Sequence, residues 1–342
     1  SIANLGNVGI NAVSRRYLPF LTRLPHQTFA PNPQHTYLPE KNTKLLTEII
    51  EKRSTADQPF FAFVNYMDTH RPYQAPADLQ RKHLGRELSK SEFERLNDKV
   101  GAPWGFVRLV QNDDVRDEDV ETLRRLYAAS VESVDRHIRR LLASLESADI
   151  REETIVIIVG DHGENLGETD EQGRTRFGHE ASISDYVARV PMIVSTPATE
   201  SQVDEIASIK DVYGYLLKAS DPECSTADLS PQDLVSERAF CEYPALPDKT
   251  FYEKYPDIDR RYLSQRVETD SVAAYGDEWR IVIESDGTEL AFRSQQQEDI
   301  EKAPADLVAA ARETCETLSS MWSVDEITSQ QTRDRLEELG YL

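Results

Sequence analysis

Apolar positions change period along the chain, and the changes mark its elements. Leu45, Leu46, Ile49 and Ile50 recur at helical spacing and predict a short helix. Pro59 to Met67 reads PFFAFVNYM, a continuous apolar run of strand length that suits a strand covered on both faces. Residues 75–116 are charged and irregular and predict an excursion over the top of a sheet. From Asp117, a plausible N-cap, the positions Val120, Leu123, Tyr127, Val131, Val134, Ile138, Leu141 and Leu145 recur at steps of three and four. They predict an amphipathic helix of about seven turns. Thr154–Gly160 (TIVIIVG) and Val190–Ser195 (VPMIVS) read as buried strands, and Ile209–Leu217 as a helix.

Beyond Pro222 the pattern shortens. Ser220–Gln232 is polar and reads as a linker. Strand-like runs follow at Ala239–Tyr243, Val272–Tyr275, Trp279–Glu284 and Thr288–Phe292, the last two joined by the turn residues Ser285-Asp286-Gly287. Pro304 then opens a helix with Leu307, Ala311, Cys315, Leu318 and Trp322 on one face. The expected architecture is α/β: an α/β/α sandwich around a mostly parallel sheet (1–221), with a small C-terminal α+β subdomain of antiparallel sheet plus helix (233–342).

Charge narrows the function classes. Against 39 Lys and Arg stand 61 Asp and Glu, a formal net charge of −22. No basic footprint exists for nucleic acid. A dense carboxylate surface fits either ordinary solvation or salt adaptation. No apolar run approaches the ~20 residues that cross a bilayer. The three cysteines, Cys224, Cys241 and Cys315, form no CxxC pair, which argues for inert thiols rather than a zinc or disulfide framework.

Chemistry gathers at strand ends. Gly160-Asp161-His162-Gly163-Glu164 follows TIVIIV directly, and a carboxylate beside an imidazole there forms half a metal site. His179, in Phe177-Gly178-His179-Glu180, lies on a loop that leaves the sheet and returns to it. His70, in Met67-Asp68-Thr69-His70-Arg71-Pro72-Tyr73, again ends a strand. Two strands delivering polar residues to one edge point to a site.

These segments resemble the sulfatases of the alkaline phosphatase superfamily. FFAFVNYMDTHRPY is similar to that family's apolar strand and His-x-Pro-aromatic step, and VGDHGENLGE followed by VPMIV to its second block. LYAASVESVDRHIRRLLASL resembles the helix between them, and RDRLEELGYL the carboxyl end of many members. The resemblance implies hydrolysis of sulfate esters of small molecules or carbohydrates at a divalent metal, Ca²⁺ or Mg²⁺, with Mn²⁺ or Zn²⁺ as alternatives. It implies that Asp161 and His162 are metal ligands. It places His70 on the sulfate or the leaving oxygen, where a protonated imidazole passes a proton. His179 falls near the place where many members have Lys, as a sulfate contact or a third ligand. A phosphate or phosphonate ester hydrolase, a phosphoethanolamine-type transferase and a non-catalytic relative are the other readings. The acidic composition is haloarchaeal-like.

One departure is plain. The family nucleophile lies in a Cys/Ser-x-Pro-x-Arg run, and the sequence holds none; Val13-Ser14-Arg15-Arg16 lacks the Pro. Family order places that run, and an Asp-Asp pair completing the metal site, upstream of Ser1. The expectation is a fragment, inactive by itself, from a cytoplasmic enzyme whose specificity loops are 74–116 and 165–180.

Overall fold

The structure is a computed structural model that describes residues 38–55, 59–101, 105, 107–109, 114–170, 173, 175–196, 203–221, 223–225, 228–245, 256, 258 and 268–321. Trp322, the RDRLEELGYL segment, Trp104, Phe106 and Val13–Arg16 lie outside them. All described residues fall within one compact unit, His35–Thr328.

Helix α1 spans Leu38–Arg53, with basic residues at its C-terminal end, where they complement the helix dipole. The stretch expected to be irregular is largely helical: α2 (Ala77–Leu84), α3 (Lys90–Glu94) and one π-helical turn, Arg95–Val100. The reason was written in Ser89-Lys90-Ser91-Glu92. The Ser89 hydroxyl accepts from the N–H of Glu92, whose carboxylate accepts from the N–H of Ser89, a reciprocal cap that satisfies two otherwise unpaired donors.

Helix α4 runs Asp117–Ser147, 31 residues. Its apolar face packs Leu123, Leu126 and Ala129 against Tyr73, Leu79, Leu96, Val100 and Phe177. Two details differ from the sequence reading. The cap residue is Arg116, and the buried Asp119 organises the first turn by accepting from Arg95 Nε at 2.8 Å and Arg116 Nε at 2.7 Å. Val131 is 45% exposed, while Ser130 and Ser133 turn inward. Small side chains let neighbouring elements approach closely there, which a hydrophobicity count does not register.

Strands β1 (Val156–Val159), β2 (Asn165–Thr169), β3 (Thr175–Gly178) and β4 (Met192–Ser195) form two antiparallel pairs, β1–β4 and β2–β3. A four-residue helix, α5 (Asp185–Ala188), precedes β4. The β1–β4 pair was expected to be buried on both faces. One face, with Ile157, Met192 and Val194, packs on Tyr215 of helix α6 (Asp211–Ala219), Leu229 and Leu234. On this pair Ile193 is 55% exposed. The run 59–67 forms no strand and pairs with none among the described residues, and Phe61 and Phe63 stand 66% and 83% exposed.

The C-terminal antiparallel sheet and its helix form as their pattern predicts, with one short strand more. Strands β5 (Ala239–Tyr243), β6 (Ser271–Gly276), β7 (Trp279–Glu284), β8 (Glu289–Arg293) and β9 (Gln296–Glu298) make an antiparallel meander in sequence order. Gly287 takes φ 94° in the β7–β8 turn, a conformation that disfavours any side chain. Helix α7 (Ala305–Met321) lays Leu307, Ala311, Cys315 and Leu318 on Val272, Ala274, Ile281 and Ile283. The opposite face of the sheet, with Ala273 and Val282, covers Ile183. The three cysteines are free thiols. Cys315 is buried, which pushes its thiol up to about 11, and Cys224 and Cys241 are half-buried.

Candidate active site

A hairpin makes the site's central contact. β2 pairs with β3 so that Asn165 faces Gly178. Glu164, just before β2, and His179, just after β3, therefore leave the ladder side by side. Glu164 Oε1 lies 3.3 Å from His179 Nδ1, and both side chains are nearly buried. A bulge at Gly167, with φ 92°, keeps the hairpin against α4, where a Cβ would meet Phe177 and Val120 at 2.9 and 3.0 Å.

The end of β1 and the run 59–67 deliver two more histidines to this pair. Asp161 and His162 follow β1, and the His162 ring lies 4.0 Å from the His179 ring, centroid to centroid. His70 follows the run 59–67, and its ring lies 5.4 Å from His179 on the other side. The three sequence-predicted histidines are thus brought together, with His179 in the middle. Arg71 and Glu180, the residues after His70 and His179, form an ion pair at 3.5 Å.

Each imidazole is oriented the same way. Nδ1–H of His70 donates to Arg71 O at 2.5 Å, and that of His162 to Gly163 O at 2.8 Å. His179 turns Nδ1 to Glu164. An acceptor at Nδ1 fixes the tautomer and leaves Nε2 for a ligand or a proton.

The environments split the histidines electrostatically. Burial lowers the pKa of His70, only partly offset by its bond to Arg71 O. At neutral pH His70 is therefore neutral, and a protonated His70 is not the resting state. Burial also acts to lower His179, but the hydrogen bond and charge of Glu164 outweigh it, and its pKa ends above the ordinary value. Nearby, Asp68 Oδ2, Glu180 Oε2 and the Tyr73 hydroxyl are buried without a hydrogen bond of good geometry. Tyr73 ionises well above its usual value because of burial and the Glu164 charge.

Asp161 is the more exposed member of the expected ligand pair. Its Oδ1 accepts from the N–H of His162 at 3.0 Å and stands 3.9 Å from His162 Nε2. Two donors ~2.0–2.6 Å from one cation are separated by about that distance, so the pair fits a shared ion. Among the described residues, no group of three or more His, Cys, Asp or Glu is arranged to hold a metal.

Glu164 was visible in the motif but given no role. The signal was the hairpin, since only its register shows that residues 15 apart become neighbours.

The model of the sulfatase family matches residues 8–232. The chain belongs to the sulfatase family. Human iduronate 2-sulfatase is 25% identical over 213 residues, which are 58% of this chain and 36% of that protein. Choline-sulfatase of Rhizobium meliloti is 28% identical over 206 residues, 56% of this chain and 38% of that protein. The chain spans about a third of the length of the curated relatives it matches. Among solved structures, the phosphonate monoester hydrolase of Silicibacter pomeroyi superposes with a TM-score of 0.53 over 81% of this chain and 59% of that one, at 20% identity. That likeness shows the sulfatase-type α/β fold.

Proposed function

We propose that the chain supplies the histidine half of a sulfuric ester hydrolase site working with a divalent metal, Ca²⁺ or Mg²⁺. The observation that carries this reading is the convergence of His70, His162 and His179, from the run 59–67 and from the ends of β1 and β3, in a chain of this family. Asp161 and His162 would hold the metal, a Lewis acid that stabilises charge on the sulfate when bound. His179 is the group to meet the sulfate, since Glu164 favours its cationic form. A cation fixed beforehand where negative charge develops needs no reorganisation during reaction. His70, neutral at rest, would take a proton from solvent at Nε2 and pass that proton to the leaving oxygen. The sequence lacks a Cys/Ser-x-Pro-x-Arg run, so on this reading the 342 residues alone release no sulfate. The acidic surface fits a salt-adapted enzyme.

The test is turnover by the full gene product that carries this chain. It is expected to hydrolyse an aryl sulfate faster than the matching phosphonate monoester, and Asp161→Ala is expected to lower kcat/KM by at least ~10²-fold. A phosphonate ester preferred over the sulfate would sink the sulfatase reading. That outcome belongs to the second reading, a phosphate or phosphonate ester hydrolase, which His179 in place of Lys and the shared fold favour.

A further inference from the structure

The β6–β7 pair carries a buried charge that its own sheet does not need. Arg280 is 6% exposed and is followed on β7 by Ile281, Val282 and Ile283, all buried. A guanidinium removed from water is costly unless its donors are satisfied. Here they are satisfied by the segment that leads into α5. Nη2 donates to Ile183 O at 2.8 Å, and Nε donates to the Tyr275 hydroxyl at 3.1 Å and lies 3.1 Å from Asp185 Oδ1. The Tyr275 hydroxyl in turn donates to Asp185 Oδ1 at 2.8 Å. Ile183 itself is buried on Ala273 and Val282 of the same sheet face.

From this anchored segment, hydrogen bonds run to both histidine turns. Ser184 Oγ donates to Asn165 Oδ1 at 2.7 Å, and Asn165 Nδ2 donates to Gly178 O at 2.6 Å, one residue before His179. The N–H of Gly163, one residue after His162, donates to Val187 O at 2.8 Å. One short stretch, 183–187, thus fixes both turns, and the C-terminal sheet fixes that stretch.

We infer that Arg280 is a positioning residue that sets the spacing of the His162 and His179 rings from the C-terminal subdomain. The inference rests on the proposed reading of those histidines as the site, and it assigns that subdomain a part in the site's geometry. Tyr275 and Asp185 complete the strut.

The test reads geometry rather than turnover, so the sulfatase reading can fail without touching it. In the 342-residue chain with isotope-labelled histidine, two quantities are followed: the nuclear Overhauser effect between the His162 and His179 rings, and hydrogen exchange of the Gly163 amide. Arg280→Met keeps the length of the side chain and deletes its polar contacts. It is expected to speed Gly163 exchange roughly tenfold, the scale of one lost charge-assisted hydrogen bond, and to weaken the ring–ring signal. The amides of Leu126 and Ala129 in α4 are expected to keep their protection. Tyr275→Phe removes one hydroxyl and is expected to give a smaller change in the same direction. Wild-type exchange at Gly163 with an unchanged ring–ring signal in both variants overturns the inference. So does equal acceleration of the α4 amides, which would mean general loosening. Should Arg280→Met fail to fold, Tyr275→Phe decides alone by the same criteria.

Discussion

The amide of Gly163 donates to the carbonyl of Val187, and a Cβ placed on Gly163 would stand 2.0 Å from the neighbouring carbonyl oxygen of Tyr186. No contact that short survives between carbon and oxygen, so backbone must move. Gly163→Ala is expected to cost roughly 2–4 kcal/mol, as overpacking against backbone does. It is also expected to erase the ring contact between His162 and His179. Chemical denaturation and histidine ring spectra check both parts. An alanine variant of wild-type stability would show that the turn has room that the structure denies.

Asp68 carries a different kind of cost. Burial raises its pKa above the ordinary carboxylate value, opposed by the Ser133 hydroxyl, which donates to Oδ1 at 3.2 Å. The folded state therefore binds this proton more tightly than the unfolded one. Between the unfolded pKa and the raised folded one, stability falls as pH rises, and above both the full penalty persists. Asp68→Asn abolishes the ionisation and leaves Ser133 an acceptor. Its melting temperature is expected to exceed wild type by roughly 1–3 °C at pH 8 and to match it at pH 3. A variant less stable than wild type at pH 8 would refute the argument.

The Asp161–His162 pair predicts a cation response in the 342-residue chain itself. Millimolar Ca²⁺ or Mg²⁺ is expected to raise the melting temperature by roughly 1–2 °C, through binding to the folded state alone. Asp161→Asn is expected to remove the rise. Persistence of the shift in that variant would place the ion elsewhere on the acidic surface.

That surface predicts a salt response of its own. With a net charge of −22, self-repulsion is strongest in dilute buffer. Raising KCl from about 0.1 M to about 2 M shortens the screening length to a few ångströms and is expected to raise the melting temperature by roughly 5 °C or more. Thermal scans at the two salt concentrations decide, and a flat profile would leave the acidic composition as ordinary solvation.

How much of this was legible depended on how local each signal is. The 3.6-residue rhythm of α4 and the alternation around Ser285-Asp286-Gly287 are written in neighbouring residues, and both elements form. So is the capping box at Ser89 and Glu92, which lies in a stretch whose charge masks its helices. The three histidines were legible as candidates at the ends of apolar runs, though the run before His70 forms no strand. Their order, with His179 between the other two, was not, because it depends on the register of β2 against β3. The protonation of His70 was not legible either, since burial sets it and no motif encodes burial. The apolar run 59–67 misled in the opposite direction. Its composition announces a covered strand, but composition does not name the partner, and none of the described strands pairs with it.

Helix α4 is some 46 Å long at ~1.5 Å per residue, and α1, α2, the π-helical turn and the β2–β3 hairpin all lean on it. An element shared by so many neighbours leaves them little freedom to melt one at a time. Heating should therefore produce one cooperative transition in this layer, with the helical signal and the histidine environment lost at a common midpoint. The site's working temperature is then governed by the seating of a helix that contributes no group to its chemistry.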